Sequence, residues 1–397
     1  MSSPSASFPA RPQAAPPGDG ASASLPEAAS LPASAVLTDV RALFQLAFDR
    51  HASDIHLTEH TPPMVRIDGH LEPTELAPLT RADTKRLIYS LLTDRHKAQF
   101  ERELELDISI EVQGLGRFRV NVHMQRGSVE AAFRLVPSHI RSLQELGLPP
   151  IVAELARKPN GLVLVTGPTG MGKTTTLTAM VDQINHEQRY HIIVIEDPIE
   201  YVHCNHRSII KQREVYSDTK SFANALVRAL RQDPNVIVVG EMRDLETIAT
   251  TLTAAETGHL VLATLHTPDA AQTIDRILDV FPSHRQEEVK VQLADCLQGV
   301  ISQRLLPRID RPGRVLAYEV MVGTPAVRNL IREHATEQIP TTLQTGAQYG
   351  MCTMDACIKG LYDRQIIASE TALSYMKHSG EFHLLGQQDA SHKKRNP

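Results

Sequence analysis

The run Gly167-Pro168-Thr169-Gly170-Met171-Gly172-Lys173-Thr174 fits the spacing G-x-x-x-x-G-K-[ST]. That spacing serves phosphate binding. Glycines let successive backbone N–H groups turn inward on an anion. A helix that starts at the loop adds partial positive charge from its N-terminus. Lys173 can reach the β- and γ-phosphates of a nucleoside triphosphate, and the Thr174 hydroxyl can bind Mg²⁺. At Met171 only the backbone is needed. With Thr175, the next residue, Gly167 to Thr175 form the candidate nucleotide-binding set. ATP is the expected ligand and Mg²⁺ the expected cofactor.

Carboxylates follow two apolar runs downstream. Ile192-Ile193-Val194-Ile195 leads into Glu196-Asp197-Pro198-Ile199-Glu200, which puts three acids just beyond a buried strand. Ligands of open α/β sheets lie at the carboxyl ends of strands. Glu196 and Asp197 are therefore placed to hold Mg²⁺ through water, Glu196 ahead of Asp197 and Glu200; the alternative is helix capping or pairing with arginines. Val236-Ile237-Val238-Val239-Gly240-Glu241 resembles a Walker B strand whose terminal Asp is replaced by Gly240. A glutamate next to it can polarise the attacking water, so Glu241 is the first candidate for catalysis. Its alternative is a simple ion pair with a nearby arginine. His259 and His266 flank the run Leu260 to Ala263. His266, at the far end, could sense the γ-phosphate, and His259 is a weaker candidate. Surface or packing roles stand beside both.

These residues need a sheet to carry them. From Gly161 onward, short apolar runs (162–165, 192–195, 236–239, 260–263) alternate with helical stretches. Such runs read as buried parallel strands joined by crossover helices. The fold class is α/β, a P-loop core over 161–322. Ahead of it, 38–137 reads as a small α+β unit. Val40, Leu43, Phe44 and Ala47 lie at helical spacing behind Thr38-Asp39. Met64 to Leu71 reads as a hairpin turning at Asp68-Gly69, and Thr80 with Asp83 as a capping box opening a helix to about Leu92. Strands are expected from Asp107 to Val136, with a connecting segment over 138–160. Residues 323–397 read as helical, ending in a basic tail, His392-Lys393-Lys394-Arg395. Residues 1–37 are rich in Ala, Ser and Pro, and 1–36 hold seven prolines, so they read as a disordered extension.

Composition narrows the partners. The formal net charge is −5, there is no Trp, and aromatics are 4%. Neither a global basic excess nor stacking platforms point to nucleic acid. No apolar run approaches the roughly 18–20 residues that span a bilayer, so membrane contact is expected only through partners, and the cytoplasm is the expected location. The four cysteines form no C-x-x-C pair, which speaks against a structural zinc site. His203, Cys204 and His206 could hold a metal, but a short cluster without partners reads more readily as a surface turn.

Taken together, the motifs resemble the type IV pilus retraction ATPases (the PilT family) of the type II/IV secretion ATPase superfamily. The resemblance runs from about residue 39 to 380. It is carried by Ala52-Ser53-Asp54-Ile55-His56-Leu57, Arg117-Phe118-Arg119-Val120-Asn121, the phosphate loop, and Ile195 to Tyr201. It continues through Gly240-Glu241-Met242-Arg243-Asp244-Leu245-Glu246-Thr247, Thr257 to Thr267, and Ala326 to Glu333. It implies a homo-hexameric ring in which a PAS-like N-terminal domain packs on the RecA-like core of the neighbouring subunit, with arginines of that domain reaching the nucleotide. The matching positions are Arg119 and Arg134; by themselves they read as strand arginines. It also implies an inner-membrane pilus platform protein as partner, with a paralogous pilus ATPase as a further one.

Two features depart from the family pattern: the 1–36 extension, and Val327 where Ile is usual. Thr324-Pro325 should cap the helix over 326–333, with Leu330 and Ile331 inward and Arg328, Arg332 and Glu333 outward. The tetracysteine motif of extension and secretion motors is missing, which favours retraction. A related motor for another pilus, DNA uptake or secretion stays open, as do a weakly active regulatory paralogue and a nucleic-acid translocase.

Overall fold

The computed structural model describes residues 39–67, 69–136 and 140–377. The expected N-terminal extension, Asp68 of the hairpin turn and the basic C-terminal tail lie outside the described residues.

The N-terminal unit begins with helix α1 (Val40–Asp49), whose N-cap Asp39 accepts from the Arg41 N–H. Strands β1 (Asp54–Leu57), β2 (Met64–Ile67) and β3 (His70–Pro73) follow, then α2 (Arg81–Tyr89) and α3 (Asp94–Glu103). Strands β4 (Glu105–Val112), β5 (Gly116–Gln125) and β6 (Ser128–Leu135) complete an antiparallel sheet in the order β3-β2-β1-β6-β5-β4. Val40, Leu43, Phe44 and Ala47 are all buried against this sheet. Phe44 packs between Phe118 and Phe133, with ring centroids at 4.5 and 5.3 Å. The Thr80–Asp83 capping box is present. The helix it opens stops at Tyr89 instead of Leu92, because Thr93 caps a new helix, α3. Helix α3 was not legible in the sequence: Phe100 is its one buried residue, so its apolar stripe is almost empty.

After α4 (Pro150–Ala156) the chain enters the second sheet. Its elements are β7 (Gly161–Thr166), α5 (Lys173–Glu187), β8 (His191–Glu196), β9 (Ile209–Glu214), α6 (Phe222–Ala229) and β10 (Val236–Val239). Then come α7 (Leu245–Glu256), β11 (Leu260–Leu265), α8 (Ala270–Asp279), α9 (Ser283–Cys296), β12 (Leu297–Pro307) and β13 (Arg314–Val322). The order is β13-β12-β7-β11-β10-β8-β9, parallel except for β13. The four expected runs are four of these strands, buried on both faces between two apolar layers. Strands β12 and β13 add an antiparallel ribbon that sequence reading missed.

Helices α10 (Pro325–Arg332), α11 (Ile339–Thr345), α12 (Met354–Asp363) and α13 (Ser369–Tyr375) follow. Thr324 caps α10, with Pro325 in its first turn as expected. The inward face is Val327 and Ile331, with Leu330 half-buried. Arg328 does not point outward. It donates to the carbonyls of Gly323, Ala294 and Leu297 at 2.9, 2.7 and 3.0 Å and also to that of Asp295, so it closes the C-terminal end of α9.

Candidate nucleotide site

The carboxyl ends of β7, β8, β10 and β11 share one edge of the core sheet, because their register aligns Leu265 with Thr166 and Val239 with both Ala263 and Ile195. Each strand delivers its candidate residue there: the phosphate loop after Thr166, Glu196 at the end of β8, Glu241 after β10 and His266 after β11. They line one cleft of about 910 Å³.

The loop's shape depends on glycine at two points. Gly167 has φ +141°, and a Cβ there would collide with the Gln303 carbonyl of β12. Gly172 has φ +80° and forms the N-cap of α5. The N–H groups of the first turn are therefore uncovered at the loop, as an anion site requires. Strand β12 braces this loop. The Gln303 amide donates to the Met171 carbonyl at 2.8 Å, and buried Thr166 and Ser302 hydroxyls bond at 2.8 Å. Met171 contributes more than backbone: its sulfur accepts the Leu305 N–H at 3.2 Å.

Lys173 is buried, with its Nζ donating to the Gly167 and Pro168 carbonyls at 2.8 and 3.1 Å. Burial lowers its pKa, and the charges of Glu241 and Glu200 oppose that shift. His266 Nδ1 lies 3.3 Å from the Thr169 hydroxyl and 3.5 Å from Lys173 Nζ, while its Nε2 lies 3.4 Å from Glu241. One ring thus joins the phosphate loop to the candidate base. Glu241 also pairs with Arg243 at 2.7 Å, so the bland reading of Glu241 as an arginine's partner is realised as well. Thr175 is within 3.2 Å of the Tyr201 hydroxyl.

Glu196 is buried, and its pKa is pushed up to about 8, chiefly by desolvation, with Glu200 and Glu214 adding to it. Its direct partner is the neutral Gln212 amide at 3.3 Å. A buried carboxyl facing the cleft without a cation bonded to it suits a divalent cation. Desolvation raises Asp197 as well. The glycine at position 240 has a steric cause. A Cβ there would sit 3.0 Å from the Ile195 carbonyl and 3.3 Å from Glu196 Cα. Glu196 of the neighbouring strand lies beside Gly240, the point where a Walker B strand usually carries a carboxylate.

Two candidates lie away from the phosphate loop of their own chain. His259 is at the start of β11, at the opposite edge of the sheet. It hydrogen-bonds the Ala254 carbonyl at 3.0 Å, near the end of α7, and does not meet the phosphate loop of its own chain. Arg134 pairs with Asp54 at 2.8 Å and lines a separate cavity between the two sheets. Arg119, opposite it in strand register, lines that cavity too but reaches Glu200 at 3.5 Å, on the rim of the nucleotide cleft. Sequence reading did not single out Arg243, although it is only two residues after Glu241. It also overlooked Gln303, whose role depends on a contact across more than a hundred residues.

Residues 31–373 match the family model described as Type II/IV secretion system protein. The chain is 49% identical to the type IV pilus retraction ATPase PilT of Pseudomonas aeruginosa over 84% of its own length and 97% of that protein's. It is also 49% identical to a twitching motility protein of Neisseria gonorrhoeae, over 78% of this chain and 83% of that one. A crystal structure of the pilus retraction motor PilT with bound ADP matches with a TM-score of 0.82, at 49% identity, over 86% of this chain and 98% of that chain. With the phosphate loop, the buried acid and the glutamate–histidine pair assembled at one sheet edge, the chain belongs to the type II/IV secretion system protein family.

Proposed function

We propose that this chain is the ATP-hydrolysing motor of type IV pilus retraction, acting as a homo-hexamer beneath an inner-membrane platform protein. The observation that carries the reading is the likeness to PilT over 84% of this chain and 97% of that protein, supported by the gathering of the candidate residues around one cleft. ATP lies with its phosphates on the N–H groups of the Gly167–Thr175 loop. The Lys173 ammonium turns from the loop carbonyls to the β- and γ-oxygens. Glu241, oriented by Arg243 and His266, accepts a proton from the attacking water as the phosphoanhydride bond breaks. His266 registers the γ-phosphate through Thr169 and Lys173. Thr174, with Glu196 through water, would hold Mg²⁺, which supplies charge neutralisation on the phosphate oxygens. Arg119 and Arg134 add positive charge from the N-terminal sheet, Arg134 leaving its pair with Asp54 to do so. Hydrolysis changes the angle between the two sheets and so moves the platform protein. Among the described residues no helix is long and apolar enough to cross a membrane. A paralogous pilus ATPase is a further expected partner.

The test is complementation of a pilus-bearing host that lacks its retraction motor. The intact chain should lower surface piliation and restore twitching, and Lys173→Ala should do neither. A folded, ATP-hydrolysing chain that leaves piliation unchanged would move the assignment to another pilus or secretion machine.

A further inference from the structure

We infer that Asp182, His186 and His206 form a surface site for one late first-row divalent cation of the Zn²⁺ class, distinct from the nucleotide cleft. Asp182 and His186 are four residues apart on α5 and therefore share a face of the helix. His206 comes from the connection between β8 and β9. One ligand atom from each residue lies within 4.8 Å of the other two. His186 Nδ1 is 3.4 Å from an Asp182 carboxylate oxygen. Tetrahedral coordination with bonds of about 2.0–2.2 Å sets ligand atoms about 3.3–3.5 Å apart. This pair already has that spacing, although the same Nδ1 also bonds the Asp182 backbone carbonyl at 2.9 Å, a contact that a metal bond would replace, and His206 needs only a side-chain adjustment. The imidazoles of His186 and His206 stack with centroids 4.0 Å apart. Both side chains are exposed, so the rotation that aims two nitrogens at one ion disturbs little beyond their mutual stack.

The backbone beneath is fixed. Asn185, fully buried, donates to the Cys204 carbonyl at 2.7 Å and accepts the His206 N–H at 3.1 Å, while its own carbonyl accepts the Arg207 N–H at 2.9 Å. The connection is thus held against α5 by protein contacts alone, and an ion binds a preformed frame. Two imidazoles and one carboxylate suit Zn²⁺ and its borderline neighbours, whereas Mg²⁺ and Ca²⁺ select all-oxygen sets. The sequence cluster His203-Cys204-His206 lies in this connection, but its partner set is different. The His203 ring nitrogen is buried, and the other two ligands come from the helix about twenty residues earlier. A bound ion would clip the C-terminal half of α5, whose N-terminus carries the phosphate loop, to the connection that follows Glu196.

The experiment uses the full chain without nucleotide, carrying Cys204→Ser so that this exposed thiol cannot compete. Zn²⁺ is titrated against a chromophoric chelator. The expected result is one tight equivalent per chain, weakened by about tenfold or more in both His186→Ala and His206→Ala, with ATP hydrolysis unchanged in Zn²⁺-free buffer. Zn²⁺ should raise the Tm of the parent but of neither variant. Absence of the tight equivalent overturns the site. So does its survival at less than tenfold loss in either variant, whether or not the pilus assignment holds.

Discussion

Glu241 is held from two sides, by Arg243 at 2.7 Å and by His266 at 3.4 Å. Glu241→Gln keeps the shape and one acceptor oxygen but removes the base. It should lower kcat by about 10²–10⁴-fold and leave binding of a fluorescent ATP analogue within a few fold. A turnover rate close to wild type would remove Glu241 from the chemistry. Gly240 gives a second prediction. Restoring the usual aspartate, Gly240→Asp, would force a side chain against the Ile195 carbonyl and Glu196. It should destabilise by about 1–3 kcal/mol and displace Glu196, which thermal unfolding and ATPase assays would register together. A Gly240→Asp chain as stable and as active as the parent would refute the steric account. Lys173, Thr174, Glu196 and Glu241 were legible in the sequence because each motif is contiguous and ends a buried strand. The Lys173–His266–Glu241 chain was legible only as separate residues, since its contacts join three strand ends. His266 ranks ahead of His259 in the sequence because it follows its strand, and the structure has His259 at the opposite edge of the sheet.

Among the elements, the strands seen in advance are those with unbroken apolar runs. Strand β12 is buried along most of its length, yet it contains Gln298, Ser302, Gln303 and Arg304. Its buried polar groups are there to brace the phosphate loop, and that duty hides the strand from a hydrophobicity reading. Helix α10 shows the opposite error: Arg328 looks like a solvent-facing charge and is in fact a cap for α9. Arg328→Ala frees the carbonyls of Ala294 and Asp295 in α9 and of Leu297 just past it, and should cost about 1–3 kcal/mol, read as a lowered denaturation midpoint. A change within about 0.5 kcal/mol, the ordinary range for surface substitutions, would show that water replaces the guanidinium freely. The connection between β8 and β9 carries a pH dependence. Burial lowers the His203 pKa to about 4, against about 6.5 in an unfolded chain. Between those values the unfolded state binds a proton that the native state refuses. Stability therefore falls as pH drops from about 6.5 toward 4. His203→Gln should flatten that part of the pH–Tm curve. An unchanged slope would show that other groups set it.

At the scale of the whole chain, the N-terminal sheet and the second sheet pack separate apolar cores and are linked by polar contacts that include an ion pair deep in the joint. Arg117 of β5 meets Glu214 at the end of β9 at 2.8 Å. Glu214, almost fully buried, also accepts the Ser109 hydroxyl at 3.1 Å and the Ile199 N–H at 3.1 Å. One carboxylate therefore ties the N-terminal sheet to the segment that follows Glu196. A motor that converts hydrolysis into a change of angle needs such a joint: rigid in each state and close to the nucleotide. The α+β and α/β units could each be read from the sequence, but this pairing could not, because Arg117 and Glu214 are ordinary charges until the two sheets meet. Removing one partner strands the other charge out of water, which costs about 3–5 kcal/mol. Removing both should cost less than the sum. A double-mutant cycle of Arg117→Leu and Glu214→Leu, followed by chemical unfolding, should give a coupling of about 1–3 kcal/mol. Additive effects would mean that the joint is held by other contacts. Coupling in stability together with unchanged ATP turnover in the double variant would mean that the pair fixes the resting geometry without carrying the stroke.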